Sequence, residues 1–160
     1  MNTGTLQITE IECVAMRDVT DHACQLKAEG KSIIFTAAVV MNDQIIATAR
    51  NEAADTNDVS RHAEVVAIAQ ATTVLGTRDL TGATLVASCQ PCEMCLASMR
   101  WARIDRLVFA AQQANTRPEF FRFPKLTIAD YHAACDGGFT WKGGLYEDRV
   151  AHIYAAEGTS

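Results

Sequence analysis

At 160 residues, with 49% hydrophobic and 21% charged side chains, the chain has the makeup of one globular domain. A chain of this size buries about 70% of its unfolded surface without covalent staples. Its net charge of −5 excludes a molecule-wide attraction to polyanions, and no apolar run approaches the roughly 20 residues a membrane span needs.

The first expected element is a helix over residues 9–29, with Ile11, Val14, Ala15, Val19, His22 and Leu26 near one face and Gly30 as its stop. Residues 33–41 are rich in β-branched side chains and read as a strand. Asn42-Asp43 turns it into a second strand over 44–49, giving a hairpin. A polar loop, 51–60, leads to a helix over 61–75 that Gly76 ends. A strand over 84–89, a helix over 92–102 and a strand over 106–110 follow. This alternation predicts an α/β sandwich whose later strands run parallel. Beyond Ala111 the pattern blurs: a short helix over 127–135, turns at Asp136-Gly137-Gly138 and Lys142-Gly143-Gly144, and a strand or helix over 150–155. Without repeats or linkers, residues 1–160 read as a single domain, with 112–160 as a divergent tail that sets specificity.

Met1 to Gly4 is short and polar with no apolar segment behind it, so no secretory leader is expected. The six cysteines then read as reduced thiols in a cytoplasmic protein rather than as three disulfides. Cys13, Cys24, Cys89 and Cys135 read as small buried residues. Arg100, Arg103, Arg106, Arg117, Arg122 and Lys125 fall within 26 residues. Such a cluster is ordinarily a solvated face, and otherwise the one local footprint for a nucleic acid.

Two strings carry the chemistry: His62-Ala63-Glu64 and Pro91-Cys92-Glu93-Met94-Cys95. They supply one imidazole, two thiols and one free carboxylate. That inventory suits a zinc ion with three protein ligands, an open fourth position for water, and an acid/base that is not a ligand. Cys92 and Cys95 are three apart and share a face at a helix start. His62 and Glu64 stand about 200° apart around a helix, so they converge only above its N-terminal end. Ser60, a good N-cap residue, predicts that start. Both helix N-termini then favour thiolate and carboxylate near the metal, and Glu64 is the expected proton carrier.

At these residues the chain resembles the cytidine-deaminase superfamily, in the branch that holds guanine deaminases and tRNA-adenosine deaminases. The pattern H-x-E…P-C-x-x-C is that of zinc base deaminases. The stretch Asn57-Asp58-Val59-Ser60-Arg61-His62-Ala63-Glu64 is similar to the branch's N-D-P-T-A-H-A-E, and Ser88-Cys89-Gln90-Pro91-Cys92-Glu93-Met94-Cys95 to its S-C-E-P-C-x-M-C. Trp101-Ala102-Arg103 is similar to the W-A-R of guanine deaminases. The resemblance implies a mixed five-stranded sheet between helices, a homodimer, and zinc held by His62, Cys92 and Cys95. It also implies that Asn51 hydrogen-bonds the ring being deaminated, that Phe35 and Trp101 wall the pocket, and that a carbonyl between Ser88 and Gln90 accepts from the leaving amine. Departures are Ile34-Phe35-Thr36-Ala37 in place of P-F-G-A, and Phe120-Phe121-Arg122-Phe123 in place of F-D-D, without its aspartate.

The function so implied is zinc-dependent hydrolytic deamination of a small aminated heterocycle, a purine base such as guanine first, with tRNA adenosine, cytosine, nucleosides and triazines as alternatives. Two other classes remain open. A lone Cys-x-x-Cys is also a redox motif, although that would not need His62 and Glu64. A closed structural zinc site needs a fourth ligand, for which His132 or Cys135 is available. Phe120, Phe121 and Phe123 fit either core or pocket cap. Asp136, Glu147 and Asp148 are candidates to return over the site.

Overall fold

Thr9 opens the first helix, α1 (Glu10–Ala28), with a complete capping box. Its hydroxyl accepts the Glu12 N–H at 3.3 Å, and the Glu12 carboxylate accepts the Thr9 N–H at 2.9 Å. The buried stripe runs through Ala15, Met16, Val19, Ala23 and Leu26, which leaves Ile11, Val14 and His22 at its half-buried margin. Glu12 is itself buried. Its Oε1 takes the Thr84 hydroxyl at 2.7 Å and Arg106 Nε at 2.5 Å, so the capping residue also pins the helix to the sheet. The computed structural model describes residues 6–156.

The hairpin forms as expected from β1 (Thr36–Met41) and β2 (Gln44–Arg50). Asn42 and Asp43 take φ of 52° and 60°, the double left-handed turn that matches strand twist and that these residue types tolerate. Pairing starts at Thr36 rather than at Ile33. Next come α2 (Ala53–Thr56), one turn inside the polar loop, and α3 (Ala63–Leu75), which ends at Gly76 with φ 67°. Then follow β3 (Thr84–Cys89), α4 (Glu93–Trp101) and β4 (Arg106–Ala111). The tail holds single 3-10 turns at Gln113–Asn115 and Pro118–Phe120, α5 (Ile128–Ala134), β5 (Thr140–Lys142) and α6 (Ala151–Tyr154).

The five strands lie in the order β2-β1-β3-β4-β5. β1 is antiparallel to β2 and β3, while β3, β4 and β5 are parallel, so the sheet is mixed. Side-chain alternation sorts the core into two layers. Ala37, Val39, Leu85, Ala87, Leu107 and Phe109 face α3 and α4. Ala38, Val40, Val86, Val108 and Ala110 face α1 and α6. Alanine on both sides of the α3 contact (Ala37, Ala47, Ala49 against Ala63, Ala67, Ala71) lets that helix sit close to the sheet.

Residues 140–142 carry no readable periodicity because three residues are too few; β5 lies between the two glycine-rich turns. Residues 150–155 form a helical turn, not a strand, and its Tyr154 is buried. The Tyr154 hydroxyl donates to the Ile34 carbonyl and lies 2.8 Å from Ser88 Oγ. After β5 the chain presses against Phe109: a Cβ on Gly143 would stand 2.5 Å from the ring. It then delivers Glu147, whose carboxylate accepts from Gln112 N at 2.8 Å, Gln112 Nε2 at 2.9 Å and Asn115 Nδ2 at 3.0 Å. Among the described residues no helix is long and apolar enough to cross a membrane.

Candidate active site

His62 and Cys92 are the N-cap residues of α3 and α4, both with extended backbone and neither with a side-chain cap bond. This corrects the expected helix start. Ser60 does not cap, because its N–H and hydroxyl both donate to Asp58 Oδ1, at 2.9 and 2.6 Å. The chain turns tightly through Arg61, with the His62 N–H on the Ser60 carbonyl at 2.9 Å, and the extended His62 then lies over the helix end. Glu64 stands at the second helical position of α3 and Cys95 at the third of α4, so both first turns converge on one point.

His62 Nδ1 lies 3.5 Å from Cys92 Sγ and 3.6 Å from Cys95 Sγ, and the two sulfurs are 3.6 Å apart. With Zn–S near 2.3 Å and Zn–N near 2.05 Å, tetrahedral angles put S···S at about 3.8 Å and S···N at about 3.6 Å. The triangle fits a zinc ion. Among the described residues no other His, Cys, Asp or Glu joins these three as a ligand group. His132 packs instead on Phe139 and Trp141, and the Cys135 thiol donates to the His132 carbonyl. Neither is the fourth ligand a closed structural site requires. All six cysteines are free, with Cys13, Cys24 and Cys135 half-buried rather than fully buried.

The electrostatics follow from burial and proximity. Hydrogen bonding from the Cys95 thiol, then from His62, brings Cys92 from 9.0 down to about 4. Cys95 is pushed up, first by its bond to Cys92 and then by burial. The Cys92 bond raises His62. Burial raises Glu64 from 4.5 to about 7, and the Cys92 thiolate adds to it. Glu64 is 5% exposed, and its Oε2 accepts from Cys95 Sγ at 3.2 Å.

Above this group opens a cavity of about 850 Å³, with His62, Glu64 and Cys92 among its lining residues, Phe35, Asn51 and Phe120 beside them, and Val59, Arg122 and Phe123 also contributing. Asn51 Oδ1 accepts the Ala53 N–H at 2.9 Å, which starts α2, fixes the amide and leaves Nδ2 for a ligand. Phe120 meets Phe35 edge to face at 5.1 Å, so this tail aromatic is a wall, whereas Phe121 is core. Trp101 does not join. It ends α4, nine residues beyond Cys92, and is 88% exposed outside the pocket lining of this chain. Sequence reasoning did not single out Gln90, Glu93, Met94, Ile33 or Glu119, all of which line the cavity. For Gln90, Glu93 and Met94 the signal was adjacency to Cys92. For Ile33 and Glu119 there was none.

A mixed sheet that aims two helix starts at one pocket, with an imidazole, two thiols and a buried acid beside them, defines a zinc centre with an open coordination position. Residues 9–111 match the model of the cytidine and deoxycytidylate deaminase zinc-binding region. The chain belongs to that family, and zinc is its metal. It is 39% identical over 93 residues to guanine deaminase of Bacillus subtilis (strain 168), covering 58% of this chain and 60% of that protein. Over 84 residues it is 41% identical to the tRNA-specific adenosine deaminase of Agrobacterium fabrum, covering 52% and 55%. The chain thus spans little more than half the length of these curated relatives. A solved structure from work on A-to-I editing by tRNA:A34 deaminases matches with a TM-score of 0.73 at 28% identity, over 88% of this chain and 98% of that one.

Purified protein is expected to carry about one zinc per chain. Cys92→Ser should weaken zinc binding by at least about 100-fold, since changes outside the ligand shell alone cost about 10–100-fold. Metal analysis after dialysis against a graded chelator checks this; full retention of zinc would show that the ion sits elsewhere.

Proposed function

We propose that the protein is a hydrolytic deaminase of a free purine base such as guanine, replacing a ring amino group by oxygen and releasing ammonia. The observation that carries the reading is Glu64, a buried and unligated acid on the pocket wall beside the His62–Cys92–Cys95 triangle. Zinc held by those three residues supplies a Lewis acid that makes water nucleophilic near neutral pH. Glu64 takes the proton that the attacking water releases and places it on a ring nitrogen. It then carries the proton of the newly added hydroxyl to the departing amine as the C–N bond breaks, leaving a carbonyl and ammonia. Asn51 Nδ2 orients the ring, and Phe35 and Phe120, packed edge to face, form one aromatic wall against it and exclude water.

Several features support a small substrate over a nucleic acid. The basic residues of the 100–125 stretch do not converge: Arg103 pairs with Asp79, Arg106 with Glu12, and Arg117 lies over Phe120. Of that cluster, only Arg122 lines the pocket. The 39% identity to a guanine deaminase supports a purine. Six free cysteines support a reducing, cytoplasmic setting. The exposed Trp101 supports a homodimer that covers it. The tail from 112 onward acts as the specificity element, since Glu119, Phe120, Arg122 and Phe123 reach the pocket.

The test is an ammonia-release screen of zinc-loaded protein against guanine, adenine, cytosine, their nucleosides, aminated triazines and tRNA. Guanine or a close purine is expected to turn over fastest, with little dependence on ionic strength. Inosine formation in tRNA that falls steeply with salt would move the assignment to tRNA adenosine. No ammonia from any member would overturn the deaminase reading.

A further inference from the structure

Gln90 and Glu93 bracket the metal ligand Cys92 on the turn from β3 into α4, and both reach the same stretch of tail. Gln90 Oε1 accepts the Gln113 N–H at 3.1 Å, and Gln90 Nε2 donates to Gln113 Oε1 at 3.3 Å. Ten residues further on, Glu93 Oε1 accepts the Phe123 N–H at 2.6 Å. Gln113 Nε2 also donates to the Pro124 carbonyl at 3.4 Å, which closes the stretch on itself. Between the two ties run Glu119, Phe120 and Arg122, which line the cavity together with Phe123.

We propose that Gln90 and Glu93 are positioning residues that clamp segment 113–123, as the roof of the reaction pocket, onto the turn that presents Cys92. The segment has only two 3-10 turns of its own, so local structure does not fix its distance from the metal ligands. The ties do. Glu93 is ionisable and makes a charge-assisted bond, stronger than a neutral one. Gln90 is 6% exposed and holds Gln113 through two bonds at once.

The residue type at 90 matters. The Gln90 amide accepts from a backbone N–H and donates to a side-chain oxygen at once, which an ionised carboxylate of the same length cannot do. A glutamate there, as in the S-C-E-P-C pattern, would set an acceptor against Gln113 Oε1. This chain has therefore matched its roof residue to the turn. The consequence is a pocket whose height above Glu64, and hence whose choice of ring, is set by residues that need not touch substrate.

The kinetic arm of the test rests on the deaminase reading, while the structural arm does not. Zinc-loaded wild type, Glu93→Ala, Glu93→Gln and Gln113→Ala are compared by tryptic cleavage after Arg122, by zinc content, and by KM and kcat for the base turned over fastest. Glu93→Ala and Gln113→Ala are expected to be cut about tenfold faster and to raise KM about tenfold, with kcat falling less than about threefold and zinc retained. Glu93→Gln keeps an oxygen for the Phe123 N–H but not the charge, and should fall between wild type and Glu93→Ala. Unchanged cleavage in Glu93→Ala, zinc loss from it, or equal damage in Glu93→Gln would each overturn the clamp. If wild type deaminates nothing, the functional reading falls and the tryptic comparison still decides this one. If Glu93→Ala does not fold, Gln113→Ala, outside the metal turn, decides it.

Discussion

Glu64→Gln is expected to keep its zinc and its fold and to lose about 10²–10⁴-fold in deamination rate. Glutamine has the shape of glutamate and can still hydrogen-bond, but it cannot take a proton from water and hand it on. The expectation follows from place rather than from residue type alone. Glu64 is a carboxylate of the α3 first turn, buried but open to the pocket, and it is not one of the three ligand atoms that meet around the metal position. A charged acid in that position is costly, which is why burial raises it to about 7. The amide has the same shape and keeps the packing, so the variant should melt close to wild type while nearly inactive. That pairing of effects marks a functional residue. Thermal melts, metal analysis and ammonia release check the three parts. A variant with wild-type turnover would remove Glu64 from the mechanism, and one without zinc would make it a metal ligand.

Glu12→Ala is expected to destabilise the fold by about 2–3 kcal/mol, less than the roughly 3–5 kcal/mol of a fully buried ion pair, because the member left alone keeps a quarter of its side chain in water. Here that member is Arg106, whose Nε and Nη2 both bond the carboxylate, at 2.5 and 2.8 Å. The same change removes the α1 capping box and the partner of Thr84. For a chain of this size the melting temperature should fall by about 10 °C. The acid limb carries the same signature. Burial would raise Glu12, but Arg106, the Thr9 N–H and Thr84 outweigh it and hold the group near 2 against an ordinary 4.5. A lowered folded value means stability that is fully present above about pH 4.5 and lost as pH falls toward 2. Wild type should therefore weaken through that window and Glu12→Ala should be much flatter. A double change to Glu12→Leu with Arg106→Met, which leaves no lone charge, should recover much of the loss. Equal melts for wild type and Glu12→Ala would show the pair to be ornamental.

The ion pair also shows where sequence reading stops. Nothing local says that Glu12 waits for an arginine 94 positions away. Apart from the single turn of α2, the elements up to Ala111 were legible from local signals: the α1 stripe, the β-branched run before the hairpin, the Asn42-Asp43 turn, the glycine stop at 76. The metal triangle was legible because spacing on two helix starts leaves few ways to arrange one imidazole and two thiols. The register of the first of those starts was not. Asp58 competes for Ser60, a contest between two side chains that both favour turns. The tail was least legible. Its strand has three residues, its helices one or two turns, and its aromatic residues divide between core and pocket by tertiary contact alone. Trp101 was expected at the pocket from a three-residue likeness, and α4 simply carries it past the site.

The missing side chain at Gly143 has a reach well beyond its own turn. Phe109 already fills the space a methyl would need. A substitution there would lever the returning strand outward and take with it the carboxylate of Glu147, which tethers Gln112 and Asn115. Those two flank the 3-10 turn at the start of the pocket's cover. One hydrogen in place of a carbon, on the far edge of the sheet, thus decides whether the cover of the pocket is hung true.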